Sequence, residues 1–184
     1  EAIPLPAGYQ LEWGGEYESS RDAQANVFAS LPMGYLIMFI ITILLFNELR
    51  AALVIWACVP LAIIGVTAGM LLLRAEFGFM ALLGFLSLSG MIVKNGIVLV
   101  DQIQLEDRSG KNGYDAIFDA AVSRLRPVTM AALTTILGMV PLLTDPFFNS
   151  MAVVIAFGLG FATILTLGVV PVLYSYAHRV KIPV

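Results

Sequence analysis

The chain has 184 residues, 59% of them hydrophobic and 12% charged, where soluble domains are about half apolar and about a quarter charged. That is the composition of a membrane protein. A formal net charge of −3 with no strongly basic stretch excludes nucleic acid as a partner, and a single cysteine, Cys58, excludes a disulfide within the chain.

The first twenty residues have neither a positive n-region nor an apolar h-region, so they are no signal peptide. With Glu1 in place of a start methionine, a mature or truncated piece of something longer is expected. Tyr9, Leu11 and Trp13 alternate with Gln10 and Glu12, the period of a half-buried strand, and Gly14-Gly15 closes it with a turn. One strand does not stand alone, so its partners are expected outside this chain. "SSRDAQ" follows as a helix start, with Ser19 or Ser20 as its cap.

Five apolar blocks come next, over residues 27–46, 53–73, 77–100, 128–143 and 151–174. A spanning helix needs about 20 apolar residues, and Pro127 suits the first turn of the shorter fourth block. Between the third and fourth blocks, Ile117, Ala121 and Leu125 recur at i, i+4 and i+8 beside Phe118 and Val122. That spacing predicts a short amphipathic helix over about 113–125, lying on the inner membrane surface or against other cytoplasmic segments. The expected fold is therefore an all-α membrane bundle of five transmembrane helices plus that short helix, preceded by a short extramembrane β-strand. Gly65 and Gly69, and Gly84 with Ser87, mark faces for close helix packing. Basic residues fix the orientation. Arg50, Arg108, Lys111, Arg124, Arg126, Arg179 and Lys181 fall on one side, against Arg21 and Arg74 on the other. The C-terminus is then cytoplasmic and the N-terminal strand lies outside.

One charge stands inside a span. Lys94 follows Phe79 by fifteen residues, about 22 Å along a helix. At such depth an ammonium costs about 2.5–3.5 kcal/mol on insertion scales. Snorkelling of the long stem relieves part of this, yet Ser87, Ser89 and Asn95 add polarity that a lipid-facing stretch does not need. An intramembrane ionisable group of this kind points to function. No other block holds a mid-depth carboxylate: Glu48, Glu76 and Asp145 stand at block ends. Asp101 lies seven residues on, about 10 Å away near the same face. Either the lysine is neutralised by desolvation, or its counter-charge belongs to another segment or subunit.

At "GMIVKNGIVLVDQIQ", "AVSRLRPVTMAALTTILGMVPLL" and "GLGFATILTLGVVPVLY" the chain resembles the C-terminal part of a resistance–nodulation–division (RND) efflux permease. "LPAGYQLEWGGEYE" is similar to the end of that family's periplasmic porter region, which makes residues 1–26 porter and 27–184 transmembrane domain. The resemblance covers the whole chain. It implies the last five spans of a twelve-helix, usually trimeric, proton-driven exporter of the bacterial inner membrane, working with a periplasmic adaptor and an outer-membrane channel. It implies that Lys94 is a proton-relay lysine whose partners are aspartates on a span absent from this chain. Asn95 follows it as in the family, and Arg124 matches a basic residue near the cytoplasmic mouth of the relay. Asp101 stands below Lys94 as a lesser candidate. Where many relatives carry a threonine, this chain has Ala131, so Thr134 or Thr135 is left to supply a hydroxyl. Neither a cofactor nor a metal site is implied. The hydrophobe and amphiphile (multidrug) branch is expected over the metal-ion branch, because the eight methionines form no ladder. The alternatives are a relative with a sensing, lipid-transport, secretion-assisting or metal-export role. An intramembrane serine protease is disfavoured, since the single histidine, His178, lies past the last block, far from Ser89. An aspartyl protease needs two intramembrane aspartates, and the blocks hold none.

Overall fold

The computed structural model describes residues 16–178 and 180. All regular structure in this range is helical: α1 (Glu16–Phe46), α2 (Leu49–Leu73), α3 (Phe79–Arg108), α4 (Gly113–Met139) with a 3₁₀ turn after it (Val140–Thr144), and α5 (Asn149–Ala177). All five helices are long and apolar enough to cross a membrane. The anticipated strand over residues 9–13 lies outside the described residues.

The helices outrun the apolar blocks. Residues 16–26 contain neither glycine nor proline, so nothing stops α1 until Glu16, and Ser19 and Ser20 lie inside the helix rather than at its cap. The separate amphipathic helix over 113–125 does not exist as such. Residues 113–139 form one continuous helix, with Pro127 in its interior rather than its first turn. Pro127 lacks an N–H and leaves the Ser123 carbonyl without its helical donor, but the apolar rows on both sides of it share one register. Helix α3, at 30 residues, is about 45 Å long, which exceeds the roughly 30 Å hydrocarbon core. Its last turns therefore belong to the polar boundary.

The chain divides into two compact units, Glu1–Met38 and Phe39–Val184. The described part of the first is the leading portion of α1, where Ser30 Oγ donates to the Asn26 carbonyl at 2.6 Å. The second unit is built around α5, against which α2, α3 and α4 all pack. Small residues permit this. The faces of Gly65 and Gly69 receive the Phe161 and Phe157 side chains so closely that a Cβ at either glycine would collide with them. Gly158 of α5 is in turn pressed by Leu88 and Val66. The Gly65/Gly69 packing face anticipated from spacing is real, and its partner is α5. Gly84 also packs closely, with the Met151 carbonyl 3.0 Å from where its Cβ would stand, whereas Ser87, expected on the same packing face, is exposed. Ile55, Leu88, Ile92, Leu99, Val153 and Val170 fill the core.

Helix α2 ends where Arg74 takes a left-handed conformation, φ 50°, with its N–H returned to the Met70 carbonyl. The link into α5 is set by Asp145, whose Oδ1 accepts from the Phe147 and Phe148 N–H groups at 2.8 and 3.1 Å.

Candidate functional site

The site forms on α3. Its buried positions, among them Leu88, Ser89, Ile92, Val93, Gly96, Leu99, Val100 and Ile103, make one face that meets the bundle. Ser87, Lys94 and Asp101 recur every seven residues on the other face, and all three are exposed. Seven residues is nearly two turns, so the three stand in a row about 10 Å apart. No described helix covers Ser87 or Lys94. Lys94 is the sixteenth of the 30 residues of α3, close to its middle. Among the described residues it has neither an ion pair nor a hydrogen bond. Asn95 is half-buried at the edge of the packed face.

Asp101 is one of the walls of a small cavity of about 190 Å³ between the end of α1 and α3, together with Phe46, Gln104 and Arg108. It forms no ion pair among the described residues. The row thus runs from Ser87 through the mid-helix Lys94 to Asp101, beside a cavity near the end of the helix.

Arg124 reaches the same end of α3 from α4. Its Nη2 donates to Gln102 Oε1 at 2.7 Å. Gln102 Nε2 donates to Glu106 Oε1 at 3.0 Å. Lys111 then bridges Glu106 Oε2 at 2.8 Å and Asp119 Oδ2 at 2.6 Å. The two carboxylates, that of Asp119 foremost, hold the Lys111 ammonium above the usual lysine range. A chain of polar contacts therefore ties the end of α3 to the start of α4 across the Gly110 turn, φ 87°. Gln102 is absent from the sequence-derived set. Its i, i+4 spacing to Glu106 was the available signal.

Among the described residues, neither Thr134 nor Thr135 hydrogen-bonds to Lys94. Thr134 Oγ1 donates to the Met130 carbonyl at 2.8 Å, and Thr135 Oγ1 to that of Ala131 at 3.0 Å. Each hydroxyl donates within its own helix and keeps its oxygen lone pairs free to accept. Lys94, Asn95 and Asp101 share α3, Arg124 joins them through Gln102, and Thr134 stays apart.

A second polar cluster closes the same end of the bundle. His178 stacks on Tyr174 with ring centres 4.0 Å apart, and its Nε2 lies 2.9 Å from Glu48 Oε1 at the α1–α2 turn. This also escaped the sequence, because 130 positions separate the two residues.

The sequence profile of the AcrB/AcrD/AcrF family matches residues 1–178. The chain is 32% identical over 182 residues to the cobalt-zinc-cadmium resistance protein CzcA of Cupriavidus metallidurans, covering 96% of this chain and 17% of that protein. It is 26% identical over 186 residues to the multidrug resistance protein MdtC of Pectobacterium carotovorum, covering 98% of this chain and 18% of that one. Among solved structures, the crystal structure of a heavy metal efflux pump superposes with a TM-score of 0.79 at 30% identity, over 95% of this chain and 18% of that chain. The chain thus spans about a sixth to a fifth of the length of the proteins it matches. The greater similarity falls on the metal side, against the expected multidrug branch. A match over nearly the whole length, together with five membrane-length helices in a superposable arrangement, places this chain in the AcrB/AcrD/AcrF family of RND efflux transporters.

Proposed function

We propose that the chain carries the lysine half of an intramembrane proton relay in a proton-driven exporter whose substrate is a heavy-metal cation. The carrying observation is Lys94, a mid-helix ammonium on an exposed polar row with no acidic partner among the described residues. An uncompensated charge inside a membrane is costly, so its position argues for carboxylates supplied by another segment of the transporter. Ionised, those carboxylates hold Lys94. Protonated, they release it, and α3 is free to shift against them. Asn95 supports the lysine, and Asp101 and Arg124 serve the mouth of the path on the side of the α3–α4 turn. Thr134 has the weakest place in this scheme: among the described residues its hydroxyl bonds to the Met130 carbonyl and not to Lys94.

The cation reading is supported by higher identity to a cobalt-zinc-cadmium resistance protein than to a multidrug one, and by similarity to a solved heavy metal efflux pump. Among the described residues no three His, Cys, Asp or Glu side chains converge. The proposal accordingly places the substrate's binding groups on other segments. Residues 1–26 are read as the end of a periplasmic porter region and the C-terminus as cytoplasmic, the orientation that the basic residues favour. The working assembly is read as an inner-membrane trimer joined to a periplasmic adaptor and an outer-membrane channel.

The test is the complete gene in an efflux-deficient host. Resistance to zinc, cobalt and cadmium is measured beside resistance to a panel of amphiphilic drugs. Metal resistance that disappears with Lys94→Ala supports both parts of the proposal. Resistance to drugs alone removes the cation reading, and resistance indifferent to Lys94→Ala removes the relay.

A further inference from the structure

A groove of about 1100 Å³ opens between α2, α4 and α5, on the outside of the unit and away from the Lys94 row. Its two ends differ in chemistry. Leu53, Ala57, Leu167 and Pro171 line its apolar part, one to three turns into α2 and α5, with Leu53 itself exposed. Arg50, Tyr114 and Ser175 stand at the mouth, where α2 begins, α4 begins and α5 ends. The mouth lies at the same end of the helices as the Arg124–Gln102 contact and the Glu48–His178 pair, so it sits at the polar boundary of the membrane. Tyr176, 85% exposed, stands beside it, as aromatic residues do at a membrane interface.

Arg50 is poorly satisfied. Its one hydrogen bond among the described residues is a 3.4 Å contact from Nη1 to the Ala177 carbonyl. The nearest carboxylate in sequence, Glu48, is taken by His178. An exposed guanidinium above an apolar slot is complementary to an amphiphile with an anionic head and a hydrocarbon tail. The walls of Leu53, Ala57, Leu167 and Pro171 offer side chains with nothing to hydrogen-bond, which suits an acyl chain. Basic groups between helix ends attract anionic lipid headgroups in this way, and the volume is that of a ligand site.

We infer that this groove holds one anionic phospholipid, with its phosphate on Arg50 and the Tyr114 and Ser175 hydroxyls, and an acyl chain along Leu53, Ala57 and Leu167. The inference goes beyond the relay; it needs that the chain spans a membrane and that the further segments of the longer relatives leave this groove open. The bound lipid would cover apolar surface that the helices leave open and would brace the end of α5 against the starts of α2 and α4.

The test is lipid retention by the full chain, purified in mild detergent and observed by native mass spectrometry. Phosphatidylglycerol and phosphatidylcholine with the same acyl chains are added in equal amounts. One phosphatidylglycerol should be retained in preference. Arg50→Gln should lower that preference about fivefold, the worth of one basic group near an anionic lipid. Arg74→Gln, at the opposite end of α2, should leave it unchanged and controls for general damage. Ala57→Trp, which fills the slot, should expel the lipid while Arg50 is intact. Equal retention of both lipids overturns the inference and leaves the groove a non-selective lipid-facing surface. An Arg50→Gln effect matched by Arg74→Gln also overturns it. So does displacement of phosphatidylglycerol by millimolar inorganic phosphate, which would mark a phosphate site without a chain slot.

Discussion

Arg124 Nη2 donates to Gln102 Oε1 at 2.7 Å, joining α4 to α3 one residue past Asp101. The bond fixes how the two helices meet at the end of the polar row. Being charge-assisted but only half-buried, it is worth about 1.5 kcal/mol, the low end for a bond to a charged group. Arg124→Gln and Gln102→Ala should each lower thermal stability in detergent, and the double variant should lose less than the sum. Strict additivity in such a cycle would show that the contact carries no coupling.

Lys94 is expected to trade stability against function. Lys94→Met removes a charge from an apolar span and should improve membrane insertion of α3 by about 2.5 kcal/mol, as read from a glycosylation-based insertion assay. The same substitution in the complete transporter should abolish proton-coupled export. An insertion gain accompanied by normal export would detach Lys94 from the transport cycle.

Glycine positions divide by what surrounds them. A methyl group at Gly158 would collide with Leu88, whereas Gly90 and Gly138 have nothing within 4 Å of a Cβ. Gly158→Ala should cost about 1–3 kcal/mol by overpacking. Gly90→Ala and Gly138→Ala should be neutral or slightly stabilising, since both lie in helices. Thermal unfolding of the three purified variants decides this, and equal losses at all three sites would contradict the packing described for α5.

The Lys111 bridge sets a pH dependence. Asp119 and Glu106 raise the folded-state pKa of this lysine above its unfolded value. Its contribution is therefore fully present below the unfolded value, about 10.4, and fades only as pH rises through the higher folded one. Hydrogen exchange of the turn around Gly110 should give constant protection from pH 6 to 9. Added salt should weaken it, because the pair is exposed. Protection lost between pH 6 and 9 would assign the turn's order to another group.

Hydropathy located all five helices but not their ends. Transfer energy marks the stretch that crosses hydrocarbon, whereas a helix continues for as long as its backbone bonds do. Glu16 to Asn26 and Asp101 to Arg108 are mostly polar and helix-compatible, so α1 and α3 extend past the apolar blocks. The amphipathic stretch from residue 113 was legible as a helix. That it fuses with the fourth span was not, because Pro127 reads as a start signal and its one missing hydrogen bond did not break the helix. The seven-residue spacing of Ser87, Lys94 and Asp101 was visible in the sequence. Which face of α3 the bundle covers depends on α2, α4 and α5, and no local pattern contains that. Contacts such as Glu48 with His178 join distant parts of the chain and had no local signal at all.

The unbroken course of α4 makes it a rod that passes from Lys111's polar bridge into the apolar interior. A push on the rod near Asp119 reaches Thr134, fifteen positions later, or about 22 Å away, with little loss, because a helix resists compression along its axis. Bending is different. The Ser123 carbonyl, left without a donor by Pro127, is the softest joint in the rod. Axial strokes are therefore transmitted through α4 whole, while sideways strain collects in the turn from Ser123 to Pro127, which holds the Arg124 contact.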